Sequence, residues 1–236
     1  MAHFVLVHGA WLDARCWAPV IPALTAAGHT VSAPDLPGHG ADSTPLAGQT
    51  LDAHAARVLR EVDAAPAPVV LVGHSMGGIV ISTVAERRPE KVARLVYLAA
   101  YLLENGGSIQ ATQDPDSQVP AAMRPAADWS TVALDPALFP GVFFHDAQPG
   151  LADYALVDPR PEGSSAFGTP LALTAANFGR VKRSYIRTAR DRAVTPTLQD
   201  RMLAALPCDP VVTLDTGHAP FFAAPAALAT QLLALA

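Results

Sequence analysis

The chain has 236 residues, 50% hydrophobic and 16% charged, enough apolar material for one large α/β domain with a sizeable core. A formal charge of −5 and the absence of any basic run argue against a nucleic-acid-binding surface. No apolar stretch free of helix breakers reaches bilayer-spanning length, and a strand-like run begins at His3 with no room for a cleavable leader, so a soluble cytoplasmic protein is expected.

In chain order, apolar strand-like runs at 3–7, 29–33, 69–73, 92–98, 181–187 and 210–214 alternate with helical patterns at 16–27, 51–64, 75–88, 197–206 and 225–235. This alternation predicts an α/β fold, a mostly parallel six-stranded sheet flanked by helices on both faces. Functional loops should then gather at the carboxyl ends of the strands. Residues 104–177 break the rhythm: periodicity is poor and prolines are frequent. So long a stretch is read as an inserted cap of short helices and irregular segments, dividing the chain into a core of 1–103 and 178–236 and a cap of 104–177. Its aromatic residues Trp129, Phe139, Phe143, Phe144, Tyr154 and Phe167 are expected to seek burial, which argues against disorder. Cys16 and Cys208 match no metal or redox spacing and are expected to be buried free thiols. No metal site and no cofactor are expected.

The most informative stretch is Gly73-His74-Ser75-Met76-Gly77-Gly78. It lies between the apolar run 68–72 and the helical run that follows, so Gly-x-Ser-x-Gly falls at a strand-to-helix turn. In that context the pentapeptide reads as a nucleophile elbow, with Ser75 at a strained tip and the new helix aiming N–H groups at a developing oxyanion.

A serine hydroxyl needs a base, and the base needs an orienting group. In hydrolases of this kind the chain order is serine, acid, histidine, so the base should lie beyond the last strand. His218 fits, between the strand 210–214 and the final helix. His3 and His29 flank strands and read as structural; His54 lies on a helix and is expected to be solvated; His39 belongs to a loop near the site rim; His145 lies in the cap within reach of a substrate. Two aspartates compete as the acid. Asp191 follows the neighbouring strand 181–187 and is preferred; Asp215 lies three residues before His218 and reads as a strand end or a support for the histidine loop. An ion pair of Asp191 with Arg190 or Arg192 is the plain alternative. The two oxyanion donors should be the N–H of Met76 and an N–H of the loop Val7-His8-Gly9-Ala10-Trp11, Ala10 being the best candidate. Gly9, Trp11, Leu102, Trp129, Phe143, Phe144, Phe167 and Ala219 are assigned to the substrate pocket.

With these residues placed, the whole chain resembles the α/β-hydrolase superfamily. More narrowly it is similar to the group that holds plant methylesterases, such as the salicylate-binding methylesterase, plant hydroxynitrile lyases and their bacterial esterase relatives. The resemblance is carried by His3-Phe4-Val5-Leu6-Val7-His8-Gly9-Ala10, by Val70-Leu71-Val72-Gly73-His74-Ser75-Met76-Gly77-Gly78, and by Leu98-Ala99-Ala100-Tyr101. It continues through Asn177-Phe178-Gly179-Arg180-Val181-Lys182-Arg183-Ser184-Tyr185-Ile186 and is weakest in the cap. It implies Ser75, Asp191 and His218 as triad, Ala10 and Met76 as oxyanion donors, and no cofactor. The lyases typically carry threonine after the first-loop histidine and lysine after the catalytic one; here Gly9 and Ala219 stand at those places, the esterase pattern. The expectation is a serine carboxylic-ester hydrolase for small hydrophobic or aromatic esters, working through an acyl-enzyme. Two other readings stay open: a hydroxynitrile-lyase-like enzyme on the same scaffold, and a small-molecule binding protein with a hydrolase fold. The expected partner is a small ester; neither nucleic acid nor membrane is expected, and a homodimer is left open.

Overall fold

The structure is a computed structural model that describes residues 1–153, 155 and 160–236; Tyr154 lies outside the described residues. In chain order the strands are β1 (His3–Val7), β2 (Thr30–Ser32), β3 (Val69–His74), β4 (Val92–Leu98), β5 (Met123–Pro125), β6 (Thr131–Leu134), β7 (Glu162–Gly163), β8 (Arg183–Thr188) and β9 (Val211–Leu214). The helices of six or more residues among the described ones are α1 (Ile21–Ala26), α2 (Leu51–Ala64), α3 (Gly77–Arg87), α4 (Pro196–Ala205) and α5 (Pro225–Ala234).

Six strands pair in the order β2-β1-β3-β4-β8-β9, every pair parallel. Successive residues alternate faces, and both faces are covered. Val5, Val7, Leu71, Leu95 and Tyr97 enter one apolar cluster with α2 and α3. Phe4, Leu6, Val70, Val72, Val96 and Leu98 enter the other with Trp17, Leu24 and α5. Burial on both sides is why these strands read as continuous apolar runs rather than as alternating ones. The chain leaves β1 toward β2 on one side and returns to β3 on the other. The carboxyl ends of β1 and β3 therefore meet at the point where the strand order reverses, the crevice in which open α/β sheets bind ligands. The loop His8–Gly9–Ala10–Trp11 and the turn at Ser75 both leave from there.

Five expectations need correction. The helix over 16–27 is broken: a 3-10 turn at Ala14–Trp17, capped by the Asp13 side chain, stops before Pro19, and α1 begins afresh at Ile21 with Pro22 in its first turn. Proline lacks the N–H an inner helical turn needs. The solvated helical His54 is fully buried, because α2 buries Leu51, His54, Ala55, Val58 and Val62, and position 54 falls inside that stripe. The stretch 104–177 holds, besides short helical turns, a three-stranded antiparallel sheet β5-β6-β7. Trp129 sits in the β5–β6 turn with φ 58° and is 62% exposed, not buried. Of the two thiols, both free, Cys16 is buried but Cys208 is only half-buried.

Candidate active site

Ser75 follows β3 directly, and α3 begins two residues later. Its φ is 53°, the left-handed region, which costs a non-glycine residue roughly 1–2 kcal/mol. Hydrogen bonds hold it there: Ser75 N–H donates to Leu98 O at 3.3 Å, and Ser75 O accepts from Gly78 N–H at 3.0 Å and Tyr101 N–H at 3.1 Å. The turn is packed too closely for side chains on two neighbours. A Cβ on Gly9 would lie 2.8 Å from Ser75 Cβ, and one on Gly77 would lie 2.8 Å from Val7 O. These glycines let the loop after β1 run against the Ser75 turn.

His218 lies between β9 and the short helix Pro220–Ala223 and is buried. Its Nδ1–H donates to Asp191 Oδ2 at 2.9 Å. The buried Asp191 carboxylate is further satisfied by Ala193 N–H at 2.8 Å and Val194 N–H at 3.0 Å on Oδ1, and by the Thr188 hydroxyl at 2.8 Å on Oδ2. These donors offset the cost of burying its charge. His218 Nε2 is buried and has no hydrogen-bond partner among the described residues. The plain alternative for Asp191 does not hold: Arg190 pairs with Asp146 and Asp215, and Arg192 donates to Gly141 O. Asp215 points into solvent.

His74 ties the two ends of the site together. Its Nε2–H donates to His218 O at 2.8 Å, and the rings lie 4.7 Å apart. Burial, with the neighbouring His218 adding to it, pushes His74 well below the usual histidine range, so it stays a neutral donor.

The loop after β1 is held with similar care. Leu36 N–H donates to His8 Nε2 at 3.0 Å, so the proton is on Nδ1, which donates to Gly9 O at 2.8 Å. Burial keeps His8 neutral, its titration pushed well below the usual range. Gly9 C=O and Ala10 N–H belong to one planar trans peptide and point in opposite directions, so a bond to the first aims the second. Neither Ala10 N–H nor Met76 N–H finds an acceptor among the described residues.

An aromatic wall runs from the histidine. Phe143 lies 5.4 Å from the His218 ring, Trp11 5.8 Å from Phe143, and Phe167 5.6 Å from Trp11. Phe144 packs instead on Phe139 and Phe222. Leu102 and Ala219 are buried near the strand ends, whereas Trp129 lies out on its hairpin. His145 crowds Gly217 next to His218. Glu162 is not among the sequence-predicted site residues. It is buried, it bonds His39 Nε2 at 2.7 Å and Trp11 N–H at 3.2 Å, and both partners are more than 120 residues away, so no local pattern marks it. No group of three or more His, Cys, Asp or Glu among the described residues could hold a metal ion, and no helix among them is long and apolar enough to cross a membrane.

Comparison with known proteins agrees with this architecture. The chain is 30% identical to a pyrethroid hydrolase of Sphingobium wenxiniae, over 97% of this chain and 85% of that protein. It is 34% identical to a chloroplastic methylesterase-type relative of Arabidopsis thaliana, over 99% of this chain. The chain spans only 64% of that relative's length, and 54% of two further chloroplastic relatives. Among solved structures it superposes on the pyrethroid hydrolase PytH with a TM-score of 0.87 at 28% identity, covering 99% of this chain and 97% of the other. The methylesterase MES16 from Arabidopsis gives 0.86 at 25% identity, covering 100% and 98%. Residues 4–231 match the alpha/beta hydrolase family as a whole, and with these relatives and this fold the chain belongs to that family.

Proposed function

We propose that the chain is a serine carboxylic-ester hydrolase for small hydrophobic or aromatic esters. Ser75 is the nucleophile, His218 the general base and acid, Asp191 the orienting carboxylate, and the Ala10 and Met76 N–H groups the oxyanion donors. The observation that carries this reading is the 2.9 Å bond from His218 Nδ1–H to Asp191, which leaves the Nε2 lone pair without a partner among the described residues. It is supported by the His74 ring, next to Ser75 in the chain, which bonds the His218 carbonyl and lies 4.7 Å from the His218 ring.

In the proposed reaction Ser75 Oγ attacks the ester carbonyl carbon as its proton passes to His218 Nε2. The carbonyl oxygen becomes an oxyanion facing the two N–H groups, each worth roughly 3 kcal/mol of transition-state stabilisation in comparable sites. Collapse breaks the ester C–O bond, and the alcohol leaves with the proton from Nε2. Water then adds to the acyl-enzyme, giving a proton to Nε2. The second collapse breaks the bond to Oγ, returns that proton to Ser75 and frees the acid. Asp191 stays ionised throughout, fixing the tautomer and stabilising the imidazolium.

The substrate class rests on the aromatic run of Phe143, Trp11 and Phe167, which starts at the His218 ring and offers apolar contact to a small ester. Methylesterase and pyrethroid hydrolase, the names of its relatives, both fit an ester substrate. Residues 104–177 act as a cap that selects among esters. Purified protein assayed against a panel of methyl and aryl esters tests the proposal: turnover of at least one small apolar ester is expected, and none across the panel overturns it.

A further inference from the structure

We infer that the buried His39–Glu162 pair is a latch by which the stretch between β4 and β8 sets the geometry of the loop after β1, with Glu162 as a positioning residue for the oxyanion hole. The inference rests on the hydrolase reading above and deepens it.

Glu162 opens β7 and is fully buried. Its Oε2 accepts from His39 Nε2 at 2.7 Å and from Trp11 N–H at 3.2 Å. His39 Nδ1 faces Pro37 O at 3.0 Å. Both ring nitrogens therefore meet acceptors, so both carry protons and the ring is an imidazolium. Burial alone would lower His39's titration, but the charge and hydrogen bond of Glu162 raise it on balance. The other two imidazoles of this cluster stay neutral: His8 by the bonds already described, and His54, 5.8 Å from His39 ring to ring, by burial, which brings it to about 4. The cluster thus holds one buried cation, whose partner is Glu162.

Trp11 is where this pair meets the chemistry. Its φ is 60°, a conformation a tryptophan does not adopt without restraint. Its backbone N–H is held by Glu162, and its indole Nε1–H donates to Val132 O at 2.9 Å on β6. Ala10 lies between two clamped peptide units: His8 holds the Gly9 carbonyl on one side, and Glu162 holds the Trp11 N–H on the other. Strand β7 is itself pressed into the core, with Gly163 N–H donating to Gln49 Oε1 at 2.7 Å. A residue 151 positions away thus fixes the peptide next to the proposed oxyanion donor.

The test is steady-state kinetics on an aryl ester, with active sites counted by a fluorophosphonate that reacts at Ser75. Glu162→Ala should lower kcat per titrated site by roughly 10- to 100-fold, since a misplaced donor costs on that order, while KM stays within about twofold. Glu162→Gln keeps an oxygen for Trp11 N–H and should recover kcat to within about fivefold of wild type. Glu162→Asp keeps the charge but withdraws the oxygen by one carbon; it should lose about tenfold in kcat, and it stands in if the alanine variant does not fold. Wild-type kcat per site in Glu162→Ala or Glu162→Asp, with only fewer sites or a lower Tm, would make the pair a fold staple and overturn the inference. A raised KM at unchanged kcat would overturn it too. A wild-type protein that neither turns over nor takes the label overturns the hydrolase reading itself, and the inference with it.

Discussion

His74 donates its Nε2–H to the carbonyl of His218, 144 residues later in the chain, at 2.8 Å. The residue before the proposed nucleophile thus holds the backbone of the proposed base, tying the Ser75 turn to the histidine loop. Replacing His74 by Leu should leave that carbonyl unpaired, at a cost of about 1–3 kcal/mol in stability. It should also lower kcat by roughly 10- to 100-fold through the misplaced imidazole. Urea denaturation and ester kinetics on the same variant measure both; full activity with lost stability would reduce the bond to a structural role.

The acid should be Asp191 and not Asp215. Asp191 takes the Nδ1–H of His218 and further donors from Ala193, Val194, Thr188 and Gln199, while Asp215 is solvent-exposed and pairs with Arg190. Asp191→Asn should cost on the order of 10⁴-fold in kcat, because the amide favours the wrong imidazole tautomer. Asp215→Asn should stay within about threefold of wild type, as expected for a surface ion pair. A reversed order of damage would misplace the acid.

Much of this was legible in the sequence because burial on both faces makes a parallel strand a continuous apolar run. That is how Val69–His74 and Val92–Leu98 stand out. Ser75 is marked by the glycines that its crowded turn demands, and His218 and Asp191 by their places after strands. His54 could have been read as buried, since it falls on the stripe of Leu51, Ala55, Val58 and Val62. The strands of the small sheet could not: at two to four residues they are too short for a period to show. Trp129 is exposed because a backbone turn, not hydrophobicity, decides its place. Glu162 is invisible for a different reason. Its meaning lies in partners on two distant loops, and a lone glutamate in a proline-rich stretch carries no pattern.

The aromatic wall should set substrate choice. Truncating Phe143 or Phe167 to Ala should shift the ratio of kcat/KM between short aliphatic and aromatic esters by about 1–3 kcal/mol. Trp129→Ala should leave that ratio unchanged, because its side chain stands in solvent on the β5–β6 hairpin. Equal losses for every ester in the two phenylalanine variants would leave them structural.

Stability should fall on acidification. Burial lowers His54 to about 4 and holds His8 and His74 well below their ordinary range. Below about pH 6.5 the unfolded chain binds protons that these folded residues refuse, so stability drops as pH falls from about 6.5 to about 4. For His54 alone the loss approaches about 3 kcal/mol at the acid end. His39 has the opposite sign: its titration is raised, so its contribution is complete below about pH 6.5 and is lost as pH rises through its folded value. Urea midpoints at pH 7, 5 and 4 should show the acid slope, and His54→Leu should flatten it. An unchanged slope in that variant would contradict the assignment.

The most direct test of the account is whether Ser75 forms the covalent intermediate. Wild-type protein treated with a fluorophosphonate should gain one adduct by intact mass, mapped by peptide sequencing to Ser75, and lose ester turnover in step. Ser75→Ala should fold normally, take no label and lose roughly 10⁴-fold or more in kcat. An adduct on another serine, or ester turnover surviving in Ser75→Ala, would contradict the central claim.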